Sequence, residues 1–157
     1  KLYKKNKKIF LKLKKILPKN IKSFPIEKKE ITEAILEKKG NLKKIIEIVH
    51  TEVRKKMNLF FKKNKSKKFV VLDVPLLLEN KLNKKSDILI FVDSKKSDIL
   101  KKLIKRKNFN KKLFNKFKKI QFSSQYKMKK SNFIIRNDFT KKTINTKIKD
   151  ILRKINQ

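Results

Sequence analysis

Two carboxylates follow an apolar run in the middle of the chain, in the segment FVVLDVPLLLEN at residues 69–80. Asp73 comes directly after the run, and Glu79 lies in the loop that Pro75 begins. An Asp at the end of a buried strand can support Mg²⁺ beside a phosphate, or it can accept hydrogen bonds from the local backbone. Both interpretations of Asp73 stay open. Glu79 is the better functional candidate, because α/β sheets bind ligands in the loops beyond the carboxyl ends of their strands.

Basic side chains at two other places could meet an anionic ligand. His50 and Arg54 are four residues apart on a predicted helix and therefore share one face, although a lone helical His is more often structural. Arg106 lies where a predicted helix gives way to a polar loop, where it is either solvated or reaches over a phosphate. Asp93 ends a second apolar run, and a role as the cap of the next helix explains it more simply than a ligand contact.

The net charge of +36 would ordinarily indicate a nucleic-acid or anionic-membrane partner. However, only four of the 49 basic residues are arginine, and specific phosphate and base recognition relies on the planar guanidinium. Abundant Lys, Asn, Ile and Phe with a single Gly are typical of an AT-rich genome. We therefore predict no specific nucleic-acid partner, only salt-sensitive non-specific binding.

Twelve phenylalanines could provide stacking platforms for single-stranded nucleic acid. A role in the hydrophobic core is favoured instead, since several lie at apolar positions of predicted helices or inside predicted strands: Phe60, Phe69, Phe91, Phe114 and Phe117. The chain has no Cys and only one His, which excludes disulfides, thiolate metal sites and multi-histidine clusters. No apolar run approaches the ~18 residues of a membrane span, so we expect no membrane partner and a cytoplasmic location.

The elements that must position these residues alternate between helices and strands. Helical periodicity predicts helices at residues 2–17, 42–60, 99–104, 113–120 and 144–155, and a second helix that begins near Pro25, runs through Ile31, Ile35 and Leu36, and ends at Gly40. Apolar runs predict buried strands at residues 69–74, 87–92 and 133–135. No capping residue is recognised ahead of the first helix; Gly40 is predicted to end the second in left-handed conformation, and Thr140 to cap the last. Strands separated by helices predict a parallel sheet in an α/β fold.

Four segments together resemble the dephospho-coenzyme A kinase family, P-loop kinases that phosphorylate the ribose 3′-hydroxyl of dephospho-CoA with ATP. They are IIEIVHTEVRK at 45–55, VVLDVPLLLEN at 70–80, ILIFVDSKKSDILKKLIKR at 88–106, and residues 116–137. The match extends from about residue 2 to 155, and its PLL-x-E block is the most specific part. It implies one partial kinase domain over 1–157 with a three-layer fold. Its parts would be a helical substrate region (about 1–61), core strands and helix (69–106), a lid (107–130) and a C-terminal strand and helix (131–157).

The resemblance also implies roles for individual residues. The dephospho-CoA side would include His50, Arg54, Pro75, Leu76, Leu77 and Glu79. Arg106 would be catalytic, neutralising charge on the transferring phosphoryl group at the lid. Gln121 and Lys127 in the lid region, and Asn137 near adenine, would complete the ATP side. Three positions depart from the family pattern: Thr51 replaces a usual Pro, Asp138 and Phe139 replace a Gly-containing turn, and Lys127 stands where Arg is common.

A phosphate-binding G-x-x-x-x-G-K-[ST] loop is absent, since the chain has one Gly. The resemblance places this loop, an acidic catalytic motif and the main Mg²⁺ ligands N-terminal to Lys1. We therefore expect a gap in the sheet between residues 69–74 and 87–92, and a piece that is neither stable nor active alone. The alternatives are another P-loop nucleoside or nucleotide kinase, or a basic RNA- or DNA-binding module with Lys and Phe clustered on one exposed face. The upstream coding sequence would distinguish these possibilities.

Overall fold

The computed structural model describes residues 6–157. The chain divides into two compact units, Lys1–Asp73 and Val74–Gln157. The described residues form seven α-helices and one parallel two-stranded sheet. The predicted mixed α/β class with parallel strands is therefore confirmed. The predicted division into substrate, core, lid and C-terminal regions stays a prediction.

Among the described residues of the first unit, 6–73, the regular structure consists of helices. Its helices are α1 (Lys7–Ile16), α2 (Lys28–Glu37) and α3 (Asn41–Lys63). Asn6 caps α1, because its side chain accepts a hydrogen bond from the Ile9 N–H at 3.2 Å. The expectation that no capping residue precedes this helix is wrong, and the earlier part of the predicted helix, residues 2–5, lies outside the described residues.

The core of this unit forms where α3 packs against α1 and α2. Its buried side chains are Ile9, Phe10, Leu13, Leu17, Ile21, Ile26, Ala34, Ile35, Leu42 and Ile45. Only the first turns of α3 contribute to this core. Phe60, near the other end of α3, is 43% exposed, so its predicted core position is wrong. The apolar stripe predicted correctly that α3 is a helix, but periodicity cannot tell how far along the helix its neighbours extend.

Gly40 does not have the predicted left-handed conformation. Its φ is −82° and its ψ −16°, and it is the N-cap of α3 rather than the end of α2. The Asn41 side chain donates to the Ala34 carbonyl at 2.8 Å and is buried. That bond satisfies a carbonyl at the end of α2, which is the task a left-handed cap would otherwise perform.

Glu30 anchors the loop before α2, which contains Pro25. Its carboxylate accepts hydrogen bonds from the Lys22 N–H (2.7 Å), the Ser23 N–H (2.9 Å) and hydroxyl (2.8 Å), and the Glu27 N–H (2.9 Å). Burial by itself would raise the pKa of Glu30, but these bonds lower the pKa from 4.5 to about 2. The loop and the first turn of α2 are therefore held by one carboxylate, and α2 begins three residues after Pro25, near which the helix start was predicted.

The second unit contains the sheet. Its elements are β1 (Ile90–Asp93), α4 (Lys96–Ile104), α5 (Lys111–Ile120), α6 (Ser124–Lys130), β2 (Phe133–Arg136) and α7 (Lys141–Asn156). The strands are parallel, with Ile90 opposite Phe133 and Asp93 opposite Arg136. Thr140 caps α7 as predicted, with its side chain accepting from the Thr143 N–H.

The strand predicted over residues 69–74 is wrong. These residues form no strand, and Val71 is 85% exposed. Exposed and half-buried positions alternate from Phe69 to Pro75, as in an extended segment with one covered side. A strand requires a hydrogen-bonded neighbour, and the described sheet pairs only β1 with β2. The continuous apolar run predicted burial on both faces, but composition alone cannot supply the partner.

Two further predictions about the sheet region are wrong. The 87–92 run contains a strand, but Val92 is 54% exposed, so this strand is not covered on both faces; Phe91 is half-buried. Asp93 is the last residue of β1 instead of the cap of the next helix, a position taken by Lys95. The Asp93 carbonyl accepts from the Asn137 N–H at 2.7 Å, which extends the contact between the strands by one residue.

Candidate functional site

The Pro75–Glu79 loop is closed by its own hydrogen bonds. The Asn80 N–H and side-chain amide both donate to the Leu76 carbonyl, at 3.1 and 2.7 Å, and the Leu82 N–H donates to the Leu77 carbonyl at 3.0 Å. Leu76 has a φ of +57°, a left-handed conformation that costs a non-glycine residue about 1–2 kcal/mol. Such strain persists where the surrounding bonds over-determine the backbone. The loop therefore presents Glu79 in one conformation.

Glu79 connects this loop to the region between α5 and α6. Its Oε1 lies 2.8 Å from Lys127 Nζ and accepts from the Phe122 N–H at 2.9 Å. The Glu79 side chain is 8% exposed and that of Lys127 20%. The structure thus brings together Glu79 and Lys127, two candidate residues that the family resemblance assigned to different substrates, and places them beside the residue that follows Gln121.

The charge of Glu79 is stabilised by these contacts. Burial would raise the pKa of its carboxyl, but the hydrogen bond from Lys127, the backbone N–H groups of Glu79 and Phe122, and the ammonium charge together lower the pKa. Glu79 is therefore ionised at neutral pH. An ionised carboxylate has no proton to donate, so at pH 7 Glu79 acts as an anion that pairs with Lys127.

The other residues predicted for the ATP side lie at ends of helices and strands. Gln121 ends α5 and is exposed, and Arg106 is exposed in the turn after α4, where its carbonyl accepts from the Phe109 N–H at 2.9 Å. Asn137 lies just beyond the carboxyl end of β2, and its side-chain oxygen accepts from the Phe139 N–H at 2.7 Å. Of the three, only Asn137 lies beyond the carboxyl end of a strand, where α/β proteins usually hold ligand contacts, and its side-chain oxygen is already engaged in a turn.

The turn after β2 contains no glycine and is held by side-chain contacts. Asp138 accepts from the Thr140 N–H and hydroxyl and from the Thr143 hydroxyl, and these bonds lower the pKa of its carboxyl, those from Thr140 most. Phe139 has a φ of +65°, and Lys102 Nζ lies 4.3 Å from the centre of its ring. A cation over an aromatic face and an Asp-centred cap thus hold a conformation that Gly would adopt without strain.

His50 and Arg54 lie on α3 in the first unit, one turn apart as predicted. His50 is half-buried and Arg54 is exposed. Thr51 continues the helix, and its hydroxyl donates to the Glu47 carbonyl at 3.1 Å. Asp73 is exposed at the end of a segment that is not a strand, so the interpretation of Asp73 as a strand-end magnesium ligand loses its structural basis.

Neither a metal centre nor a localised basic surface emerges from the described part of the chain. Within residues 6–157, no group of three or more His, Asp or Glu side chains could hold a metal ion. Exposed lysines occur on each of the seven described helices instead of on one element. No helix among these residues is both long and apolar enough to cross a bilayer.

A family model and the related proteins point to the same family. The family model described as dephospho-CoA kinase matches residues 1–143. A protein named dephospho-CoA kinase from Wolbachia pipientis wMel is 31% identical over 157 residues, covering 99% of this chain and 80% of that protein. One of the same name from Fusobacterium nucleatum is 32% identical, covering 90% of this chain and 67% of its own length. A third, from Bacillus cereus, is 34% identical over 121 residues.

Proposed function

Because the chain belongs to the dephospho-CoA kinase family, we propose that it takes part in transferring the γ-phosphoryl group of ATP to the 3′-hydroxyl of dephospho-CoA. This reaction is the last step of coenzyme A biosynthesis. The observation within the structure that supports it best is the contact of Glu79 with Phe122 and Lys127. It joins the PLL-x-E loop, on the acceptor side of the resemblance, to the region assigned to the lid.

The resemblance assigns to the acceptor substrate His50 and Arg54 in the first unit, and Pro75 through Leu77 in the second unit. His50 and Arg54 are four residues apart on α3, where they can meet a phosphate together. The left-handed Leu76 turns the loop sharply, so that Pro75 and Leu77 can provide an apolar wall for the uncharged part of dephospho-CoA. Apolar walls with a few placed polar groups are the usual composition of such sites.

The donor side would include Arg106, Gln121 and Asn137. Arg106 is exposed beyond α4, so its guanidinium can approach a phosphoryl group without first breaking a buried contact. A phosphoryl-transfer transition state spreads charge over its equatorial oxygens, and a planar guanidinium can contact two of them. Asn137 would place its amide near the adenine from the end of β2. The three-layer P-loop kinase arrangement and the four-part division of the domain belong to this same proposal.

The phosphate-binding loop is not supplied by these residues. The 157 residues contain one Gly and therefore no G-x-x-x-x-G-K-[ST] phosphate loop. Among the described residues, no group of three or more His, Asp or Glu side chains could hold a metal ion. We propose ATP as the phosphoryl donor, and no step is assigned here to a metal ion.

The test is transfer of ³²P from [γ-³²P]ATP to dephospho-CoA by protein expressed from the complete reading frame. We expect labelled coenzyme A, and loss of about 100-fold in kcat for Arg106→Met, the order found when one transition-state donor is removed. Arg153→Met, which removes the same charge from an exposed position of α7, is the matched control. Transfer to nucleosides or nucleotides but not to dephospho-CoA would contradict the proposal and favour another P-loop kinase.

A further inference from the structure

The Glu79 carboxylate pairs with the Lys127 ammonium group and accepts a hydrogen bond from the backbone. Glu79 Oε1 receives two donors, Lys127 Nζ at 2.8 Å and the Phe122 N–H at 2.9 Å. The Glu79 side chain is almost completely closed to solvent. A carboxylate oxygen that is filled by two donors and shielded from water is poorly placed to contact a substrate. Its function must therefore be sought within the protein.

Glu79 and its two hydrogen-bond donors, Phe122 and Lys127, belong to different parts of the chain. Glu79 belongs to the loop that begins at Pro75, Phe122 to the connection between α5 and α6, and Lys127 to α6 itself. Separate hydrogen bonds hold the loop in one conformation and cap α6 through the Ser123 hydroxyl, which accepts from the Tyr126 N–H at 3.2 Å. One carboxylate thus joins two locally ordered segments. A change in the position of either segment is transmitted to the other.

We propose that Glu79 and Lys127 are positioning residues that hold the acceptor loop against the α5–α6 connection. Gln121 immediately precedes Phe122 in that connection, so the contact sets the position of Gln121 relative to Pro75–Leu77. The pair thereby keeps the acceptor and donor sides of the site in register, and neither side chain contacts a substrate. This inference rests on the proposed function, because the two sides are defined by the substrates assigned to them.

The kinetic test removes the pair from the Lys127 side, in protein expressed from the complete reading frame. Lys127→Met is expected to lower kcat and to raise KM for both substrates, with a combined loss of at least about 10-fold in kcat/KM, because small displacements of reacting groups are costly. Lys127→Arg can still pair with the carboxylate and should restore most of this loss. Lys129→Met, which removes a charge from an exposed position of the same helix, should leave kcat and both KM values unchanged.

A second measurement does not depend on activity. Residue-resolved amide hydrogen exchange should show the Phe122 amide exchanging at least about 10-fold faster in Glu79→Ala, because that amide loses its acceptor. The Asn80 amide, which is bonded within the loop, and the amides of α7 should keep their rates. If Lys127→Met fails to fold, Glu79→Gln provides the same kinetic test, since it removes the charge and keeps an oxygen that can accept from Phe122.

Three outcomes would overturn the positioning role. One is unchanged kcat and KM in a folded Lys127→Met protein, and another is a rise in KM for only one substrate, which indicates direct contact with that substrate. The third is an unchanged Phe122 exchange rate in Glu79→Ala. Absence of transfer to dephospho-CoA by the wild-type protein would instead contradict the proposed function, while the exchange experiment would still report on the contact itself.

Discussion

Glu30→Gln is expected to destabilise the first unit by about 2 kcal/mol at pH 7. The pKa of Glu30 is lowered from 4.5 to about 2, a difference of about 2.5 units that corresponds to at most about 3.4 kcal/mol at 1.36 kcal/mol per unit. The side chain is only partly buried, so solvent screens part of this energy. Gln also keeps one oxygen that can accept from Lys22, Ser23 or Glu27. Solvent screening and the oxygen that Gln retains both reduce the loss, from at most about 3.4 kcal/mol to about 2 kcal/mol.

The direction of the pH dependence follows from the same shift. Because the folded-state pKa is lowered, the unfolded chain binds more protons than the folded chain between pH 4.5 and about 2. The contribution of Glu30 is therefore fully present above pH 4.5, decreases as the pH falls through this window, and is lost below about 2. The difference in free energy of unfolding between wild type and Glu30→Gln should shrink as the pH falls through this window. The titration of the other carboxylates is common to both proteins and cancels in the difference.

The assay measures the free energy of unfolding in urea at pH 7 and at pH 3. Hydrogen exchange of the α1 amides is the readout, because these amides report on the first unit. Glu33→Gln is the matched control: Glu33 lies on the same helix, is 57% exposed and is 3.9 Å from Lys29, so its loss should cost less than ~0.5 kcal/mol. Equal effects of the two substitutions at pH 7, or a difference that is the same at both pH values, would refute the reasoning.

Three other predictions concern residues whose roles the structure redefined. Gly40→Ala should be tolerated or slightly stabilising in thermal unfolding, because φ is −82° and nothing lies within 4 Å of an added Cβ; a loss above ~1 kcal/mol would indicate the left-handed conformation after all. Asn41→Ala should cost about 1–3 kcal/mol in urea unfolding, since the buried Ala34 carbonyl loses its donor, whereas an effect near zero would mean that water replaces it. In a double-mutant cycle, Glu79→Gln and Lys127→Met should show a coupling energy of about 1–2 kcal/mol that changes little with added salt, because both side chains are mostly buried; coupling below ~0.5 kcal/mol would class the pair with ordinary surface pairs.

Part of the candidate site could be recognised from local sequence. The PLL-x-E block pointed to Glu79, and the family resemblance, confirmed by the family match over residues 1–143, supplied Lys127 and Gln121. The contact between Glu79 and Phe122 could not be anticipated, because it uses a backbone N–H that lies 43 residues away. Every residue except Pro carries a backbone N–H, so a sequence motif cannot indicate which N–H will donate. The roles of His50, Arg54, Arg106 and Asn137 stay predictions.

The sequence by itself determined the features that depend on neighbours along the chain. Helical periodicity located α3, α5 and α7, a hydroxyl at residue 140 predicted the cap of α7, and apolar runs located both strands of the sheet. These features arise from bonds and contacts within a few residues, so their signals are local.

Only the tertiary structure decided what depends on a partner elsewhere in the chain. It left residues 69–74 outside the sheet, assigned the end of α2 to the Asn41 side chain instead of Gly40, and paired Glu79 with Lys127. An apolar run can show that a strand would be stable if it were paired, but it cannot supply the neighbour. A carboxylate can likewise be recognised as functional before its cation is known, and its role follows once folding has brought the two together.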